Sequence, residues 1–135
     1  MQCSRLRPLI AILFISLQCG SAADWPQWRY GSGHGAVTPH ALSQQLHLQW
    51  SRQLEEAHPS WPTTQSKLGF DLASEPIVSG GRLFAPSSMT GTMTAYDTKN
   101  GEELWRFYAE GAVRFAPVAS KGKVWFVSDD GHLYC

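Results

Sequence analysis

The side chains that could carry chemistry are spread thinly along this sequence. The five histidines are His34, His40, His47, His58 and His132. Metal sites usually take paired ligands at short, fixed spacing, and neither an HxH nor an HxxxH pair occurs here. We therefore expect solvated or loop histidines rather than a metal centre.

Three pairs of adjacent acidic or hydroxyl side chains, which lie in or next to the predicted strands, are candidate catalytic groups. The pairs are Ser87-Ser88, Glu102-Glu103 and Asp129-Asp130. Neighbours in an extended strand point to opposite faces, so we expect Asp129 and Asp130 to serve a turn rather than to act as an acid/base pair. Gly131 after the aspartates favours a hairpin turn, and the serine pair matches no nucleophile motif. The sequence predicts no catalytic residue, no cofactor-binding residue and no metal ligand.

The first residues predict a signal peptide, 1–23. Arg5 and Arg7 form a basic region, and Leu9–Leu17 is an apolar run too short to span a bilayer. Ser21–Ala23 supplies the small residues that a signal peptidase needs. Two alternatives are a retained membrane anchor and a lipid-modified Cys19, whose preceding residues fit a lipoprotein signal poorly.

Cleavage after Ala23 sets the charge and cysteine content of the mature chain. It removes two arginines, which leaves nine basic against eleven acidic side chains and a net charge of −2. No basic stripe suggests a nucleic-acid partner, and no membrane span is expected after cleavage. Two cysteines leave with the signal, so Cys135 alone remains and cannot form an internal disulfide.

The stretch Ala95–Trp105 has the form AxDxxxGxxxW. Gly101 follows Asn100 and tolerates φ > 0, as a reversing turn requires, and Trp105 opens the next strand. The spacing resembles the tryptophan-docking motif of the pyrroloquinoline-quinone (PQQ) repeat β-propellers. The resemblance implies that Ala95, Asp97, Gly101 and Trp105 are structural docking residues. It also implies that the Trp105 indole lies flat on the next unit, near the residues preceding Cys135.

An internal repeat supports the same architecture. Pro76–Phe84 recurs 41 positions later as Pro117–Trp125, and Gly91–Ala95 recurs 40 positions later as Gly131–Cys135. Periods near 40 residues with short strands and Gly-rich turns are typical of four-stranded propeller blades.

Seven strands are predicted in the two units. They are Glu75–Ser79, Arg82–Ser87, Thr92–Asp97 and Glu102–Tyr108, then Phe115–Ser120, Lys123–Ser128 and His132–Cys135. The fold class is therefore all-β, a partial β-propeller with under two four-stranded antiparallel blades, after a helical signal peptide. Because Cys135 matches Ala95 in mid-strand, we expect an N-terminal fragment whose open sheet edges could self-associate.

The segment 24–73 precedes the repeats in 74–135. Its start, Asp24–Arg29 (DWPQWR), resembles the mature N-terminus of secreted PQQ-repeat propeller proteins, and its two tryptophans predict a short extended segment with buried rings. Leu46–Trp50 alternates as a half-buried strand does, and Trp50 matches Trp105 as the end of a blade. In the Pro-containing loop Glu55–Gly69, Trp61 is either a lid over the core or a partner surface.

Two protein classes share these repeats. Quinoprotein dehydrogenases hold PQQ and calcium on the propeller axis and carry a vicinal disulfide, whereas no Cys-Cys pair occurs here. BamB-like propellers are non-catalytic and bind partner proteins. The resemblance implies a non-catalytic binding or scaffold module without cofactor, exported to the periplasm or the extracellular space. The alternative is the N-terminal part of a PQQ-dependent alcohol or sugar dehydrogenase.

The signal peptide leads to a first prediction. N-terminal sequencing of exported protein should begin at Asp24, because cleavage is expected after Ala23. A mature chain beginning with a lipid-modified Cys19 would contradict it.

Overall fold

A computed structural model describes residues 23–54 and 74–135. The predicted signal peptide up to residue 22 and Trp61 lie outside these ranges. The described residues contain no helix, and accordingly no apolar helix of membrane-spanning length is found among them. The all-β prediction is confirmed.

In the ranges that the structure describes, seven strands form two antiparallel sheets. They are β1 (Ile77–Ser79), β2 (Arg82–Ser87), β3 (Thr92–Asp97), β4 (Glu103–Tyr108), β5 (Val118–Ser120), β6 (Lys123–Val127) and β7 (Leu133–Tyr134). The first sheet has the order β1-β2-β3-β4 and the second the order β5-β6-β7. The sheets do not close on themselves, which confirms a partial propeller with one four-stranded and one three-stranded unit.

The strands are shorter than predicted where proline precedes them. β1 begins after Pro76 and β5 begins after Pro117, because proline has no N–H to donate to a ladder. The predicted strand Leu46–Trp50 was wrong: this segment has no strand hydrogen bonds and its leucines are exposed. Alternation alone does not make a strand where no neighbouring strand pairs with it.

The two β-hairpins that open the sheets share one turn geometry. Gly80 and Gly81 have φ of +57° and +73°, and Lys121 and Gly122 have φ of +50° and +74°. Two successive residues with φ > 0 are the signature of the two-residue turn that matches strand twist. The repeat seen in the sequence is thus a repeat of backbone conformation.

The core lies between the two sheets. Its buried residues are Ile77, Phe84, Met93, Ala95, Val113 and Phe126. The Phe107 ring lies 5.8 Å from the Phe126 ring and 5.0 Å from the Tyr134 ring, so β4 packs on the second sheet. Burial of these apolar side chains is the main force that joins the units.

The segment after the predicted cleavage point forms backbone hydrogen bonds with both sheets. Trp25 exchanges two backbone hydrogen bonds with Val78 of β1, at 2.7 and 2.9 Å, and the carbonyl of Pro26 accepts the N–H of Ala119 in β5 at 2.8 Å. The expected burial of both tryptophan rings was wrong for Trp28, which is 46% exposed. Its ring instead lies tilted against the His34 ring, with a centroid distance of 5.3 Å and an interplanar angle of 50°.

Gly111 lies close to the backbone of the turn before β7 and yields a second prediction. A Cβ there would lie 2.5 Å from the amide nitrogen of Asp130, so Gly111→Ala should lower the free energy of unfolding by about 1–3 kcal/mol. The measurement is urea unfolding followed by circular dichroism.

The matched control is Gly35→Ala, because a Cβ at Gly35 meets no atom within 4 Å. Equal unfolding midpoints for the two alanine variants would contradict the close approach at Gly111.

Candidate functional site: the tryptophan-docking turn

A tryptophan from outside the first sheet packs against the turn between β3 and β4. The ring of Trp50 lies so close that a Cβ on Gly101 would be 2.7 Å from Cδ2 and Cε3 of the indole. The indole Nε1 donates a hydrogen bond to the carbonyl oxygen of Thr98 at 2.9 Å. Only a residue without a side chain at position 101 allows this contact. The φ of Gly101, +71°, is also one that glycine adopts readily.

Hydrogen bonds within the turn hold the receiving surface in shape. The Oδ1 of Asp97 accepts the Lys99 N–H at 2.7 Å, and the carbonyl of Asp97 accepts the Gly101 N–H at 2.9 Å. The hydroxyl of Thr98 donates to the Gly81 carbonyl at 3.0 Å. These bonds fix the Thr98 carbonyl where the indole N–H reaches it.

Arg52 makes a second contact to the same turn. Its Nε donates to the carbonyl oxygen of Gly101 at 2.7 Å, and its guanidinium lies 5.7 Å from the Tyr96 ring centroid. A guanidinium over an aromatic face is attracted by the ring quadrupole. Trp50 and Arg52 therefore both bind this turn, Trp50 through its indole and Arg52 through a charged hydrogen bond.

The predicted docking residues occupy different environments. Ala95 is fully buried and pairs with Trp105 across the β3–β4 ladder. Trp105 itself is 38% exposed, and its ring lies 5.8 Å from the Phe84 ring of its own sheet. It also borders a cleft that Ala119 and Val124 of the second sheet line. The docking role of Trp105 on a following unit stays a prediction.

Sequence reasoning did not identify which tryptophan occupies the turn 97–101. The match of Trp50 with Trp105 as the end of a blade singles out Trp50 in the sequence. That match does not predict which residues Trp50 contacts. The indole–carbonyl bond joins residues 48 positions apart, and sequence periodicity carries no information about such a contact. Arg52 had no signal in the sequence.

The strongest pKa shift belongs to the turn before β7. Desolvation alone would raise the pKa of Asp130, but hydrogen bonds from the Tyr134 hydroxyl, the His132 N–H and the Glu110 N–H outweigh it. They lower the pKa of Asp130 to about 2. The same bond to Asp130 raises the pKa of Tyr134. This carboxylate is therefore an anionic acceptor for a turn and is poorly suited to exchange protons near neutral pH.

Acidic side chains elsewhere serve similar roles. Asp24 accepts the Gly80 N–H at 2.9 Å, and Glu103 forms an ion pair with Arg106 whose hydrogen bond raises the pKa of Arg106. Within 23–54 and 74–135, no three His, Cys, Asp or Glu side chains cluster as metal ligands would.

The contact between Trp50 and Gly101 gives a third prediction. Gly101→Ala should lower the free energy of unfolding by about 2–4 kcal/mol, because the new methyl group adds a clash to the cost of positive φ. Urea unfolding measures this change.

Gly122→Ala is the matched control, since Gly122 has a φ of +74° but no atom within 4 Å of an added Cβ. It should cost only about 1–2 kcal/mol. In a Trp50→Ala background, the two alanine substitutions should cost the same; a persisting difference would show that the ring does not cause the clash.

Comparison with known proteins agrees with this architecture. No curated protein matches the chain. A family model described as outer membrane protein assembly factor BamB matches residues 35–135, which include Trp50, the docking turn and both sheets. The chain therefore belongs to the BamB-like family of PQQ-like repeat proteins.

Proposed function

We propose that this chain is an exported, non-catalytic binding or scaffold module. The observation that carries the proposal is the match of residues 35–135 to a family described as an outer membrane protein assembly factor. A factor of that kind works outside the cytoplasm and contacts other proteins. The basic, apolar and small-residue order of residues 1–23 supplies a means of export, to the periplasm or beyond it.

The contacts of the polar side chains support a binding role. Asp24, Asp97 and Asp130 each accept backbone N–H groups in or next to turns, and Trp50 fastens one turn through Gly101. Groups used in this way stabilise a scaffold. A propeller-type scaffold then offers its loops and sheet edges to partners.

The alternative is a quinoprotein, in which PQQ and calcium would occupy the propeller axis. That class carries adjacent cysteines beneath the quinone, whereas Cys135 stands alone after the predicted cleavage. We accordingly propose that the chain takes up neither PQQ nor calcium as a cofactor.

A fourth prediction separates the two classes. The purified chain is incubated with PQQ and calcium, passed through gel filtration, and assayed for dye reduction with alcohols and sugars. We expect no quinone absorbance in the protein fraction beyond that of a heat-denatured control, and no dye reduction. Quinone that stays with the folded protein and supports dye reduction would overturn the proposal in favour of the dehydrogenase.

A further inference from the structure

The sequence contains a single asparagine, Asn100, and it directly precedes Gly101. Asparagine is a chemically labile residue, and it deamidates most readily before glycine, because no side chain on the glycine hinders the attack of its amide nitrogen. Asn100 is exposed to solvent, whereas Gly101 is buried and lies against the Trp50 ring. The reactivity of this pair therefore depends on the state of the turn that contains it.

Deamidation joins the main chain of Gly101 to the side chain of Asn100. The amide nitrogen of Gly101 loses its proton to a solvent base and attacks Cγ of Asn100. A bond forms between this nitrogen and Cγ, the bond from Cγ to Nδ2 breaks, and Nδ2 leaves as ammonia after taking a proton from solvent. Water then opens the cyclic imide at either carbonyl carbon. Opening at Cγ leaves an aspartate, and opening at the main-chain carbonyl leaves an isoaspartate, whose main chain runs through Cβ and Cγ.

The turn opposes this reaction through hydrogen bonds that the imide cannot make. The Gly101 N–H donates to the carbonyl oxygen of Asp97 at 2.9 Å, and the imide nitrogen carries no hydrogen. Asn100 Nδ2 donates to Oε2 of Glu102 at 2.9 Å, and this nitrogen departs as ammonia. Ring closure therefore removes both bonds, and only the folded chain bears the cost of losing them.

Further contacts restrict the motion that ring closure needs. Asn100 Oδ1 accepts the Glu102 N–H at 3.0 Å, so both polar atoms of the asparagine side chain are engaged. The carbonyl oxygen of Gly101 accepts Nε of Arg52 at 2.7 Å, and the Trp50 ring lies where a Cβ on Gly101 would be. The Asn100 side chain and the Gly101 peptide group have to rotate towards each other, and these contacts oppose that rotation.

We propose that Asn100-Gly101 is a covalent modification site that is protected while Trp50 and Arg52 hold the turn and that deamidates when the turn opens. The inference goes beyond the proposed binding function and does not depend on it. The contact with Trp50 requires a residue without a side chain at position 101, and the same residue makes the preceding asparagine reactive. Structural need and chemical lability thus coincide in Gly101.

The two products differ in their effect on the turn. Isoaspartate inserts a methylene group into the main chain between Lys99 and Gly101, inside the turn that the bond from Gly101 N–H to the Asp97 carbonyl closes. Gly101 has no room to shift towards the indole, so isoaspartate should hold the turn open. Aspartate keeps the normal main chain and loses only the exposed donor to Glu102, which has a small effect on stability.

The fifth prediction compares the folded chain with a synthetic peptide of residues 95–105 (AYDTKNGEELW). Both are incubated in the same neutral buffer, and mass spectrometry follows the mass increase that distinguishes a carboxyl group from an amide. No other asparagine contributes to the signal. We expect Asn100 to deamidate at least about tenfold more slowly in the folded chain, because reaction requires local opening. An isoaspartate-specific methyltransferase measures the isoaspartate fraction.

Two variants release the turn and keep the reacting pair. Arg52→Met retains an apolar chain but cannot donate to the Gly101 carbonyl, and Trp50→Phe retains a ring but cannot donate to the Thr98 carbonyl. Each should raise the deamidation rate of the folded chain about fivefold. Gly111→Ala is the matched control, because it perturbs the contact with the turn before β7 and should change the rate by less than about twofold. Circular dichroism establishes that each variant is folded.

Three results would overturn the proposal. The first is equal deamidation of the folded chain and the peptide, a comparison that needs no variant. The second is equal acceleration by Gly111→Ala and the two turn variants, which would mean that global unfolding exposes Asn100. The third is an unchanged urea midpoint for chain carrying isoaspartate; Asn100→Asp, which has the normal main chain, should unfold near the midpoint of the unmodified chain. None of these measurements involves a cofactor or a partner, so failure here leaves the proposed function standing.

Discussion

The contact of the Trp50 indole with the bare backbone of Gly101 is the constraint on which the described structure depends. A side chain at Gly101 would meet the ring at 2.7 Å, so the receiving turn must present a flat peptide surface. Asp97 and Thr98 shape that surface through bonds to Lys99 and Gly81. The segment that precedes the first sheet is thereby fixed to it without forming a strand.

Contacts of this kind are needed because a single repeat unit cannot bury its own sheet. A single sheet has two faces, and a unit of this size cannot bury both alone. One face of the first sheet is covered by the second sheet, through Phe107, Phe126 and Tyr134, and Trp25 and Pro26 bridge their first strands. The apolar residues on the far side of the second sheet, Val118, Val127 and Leu133, remain exposed. Burial therefore decreases along the chain, although the local sequence pattern repeats.

Local features were predictable from the sequence, and long-range contacts were not. The turns at Gly80-Gly81, Lys121-Gly122 and Gly131 follow from residue types that tolerate positive φ, and the strands between them follow from short apolar runs. Leu46–Trp50 shows the limit of that reasoning, because alternation describes a strand's faces and not its neighbour. The docking of Trp50 on Gly101 depends on which units meet in space, and no local pattern contains that information.

The AxDxxxGxxxW motif is likewise informative about structure and not about activity. Ala95 occupies a buried ladder position, and Asp97 and Gly101 form a turn, so these three members of the AxDxxxGxxxW pattern have structural roles within the first sheet. The name of the repeat therefore carries no chemistry by itself. Evidence for an activity has to come from side chains that are not already engaged in structural hydrogen bonds. Asp130, whose pKa is lowered to about 2 by such bonds, is an acid that stabilises a turn instead.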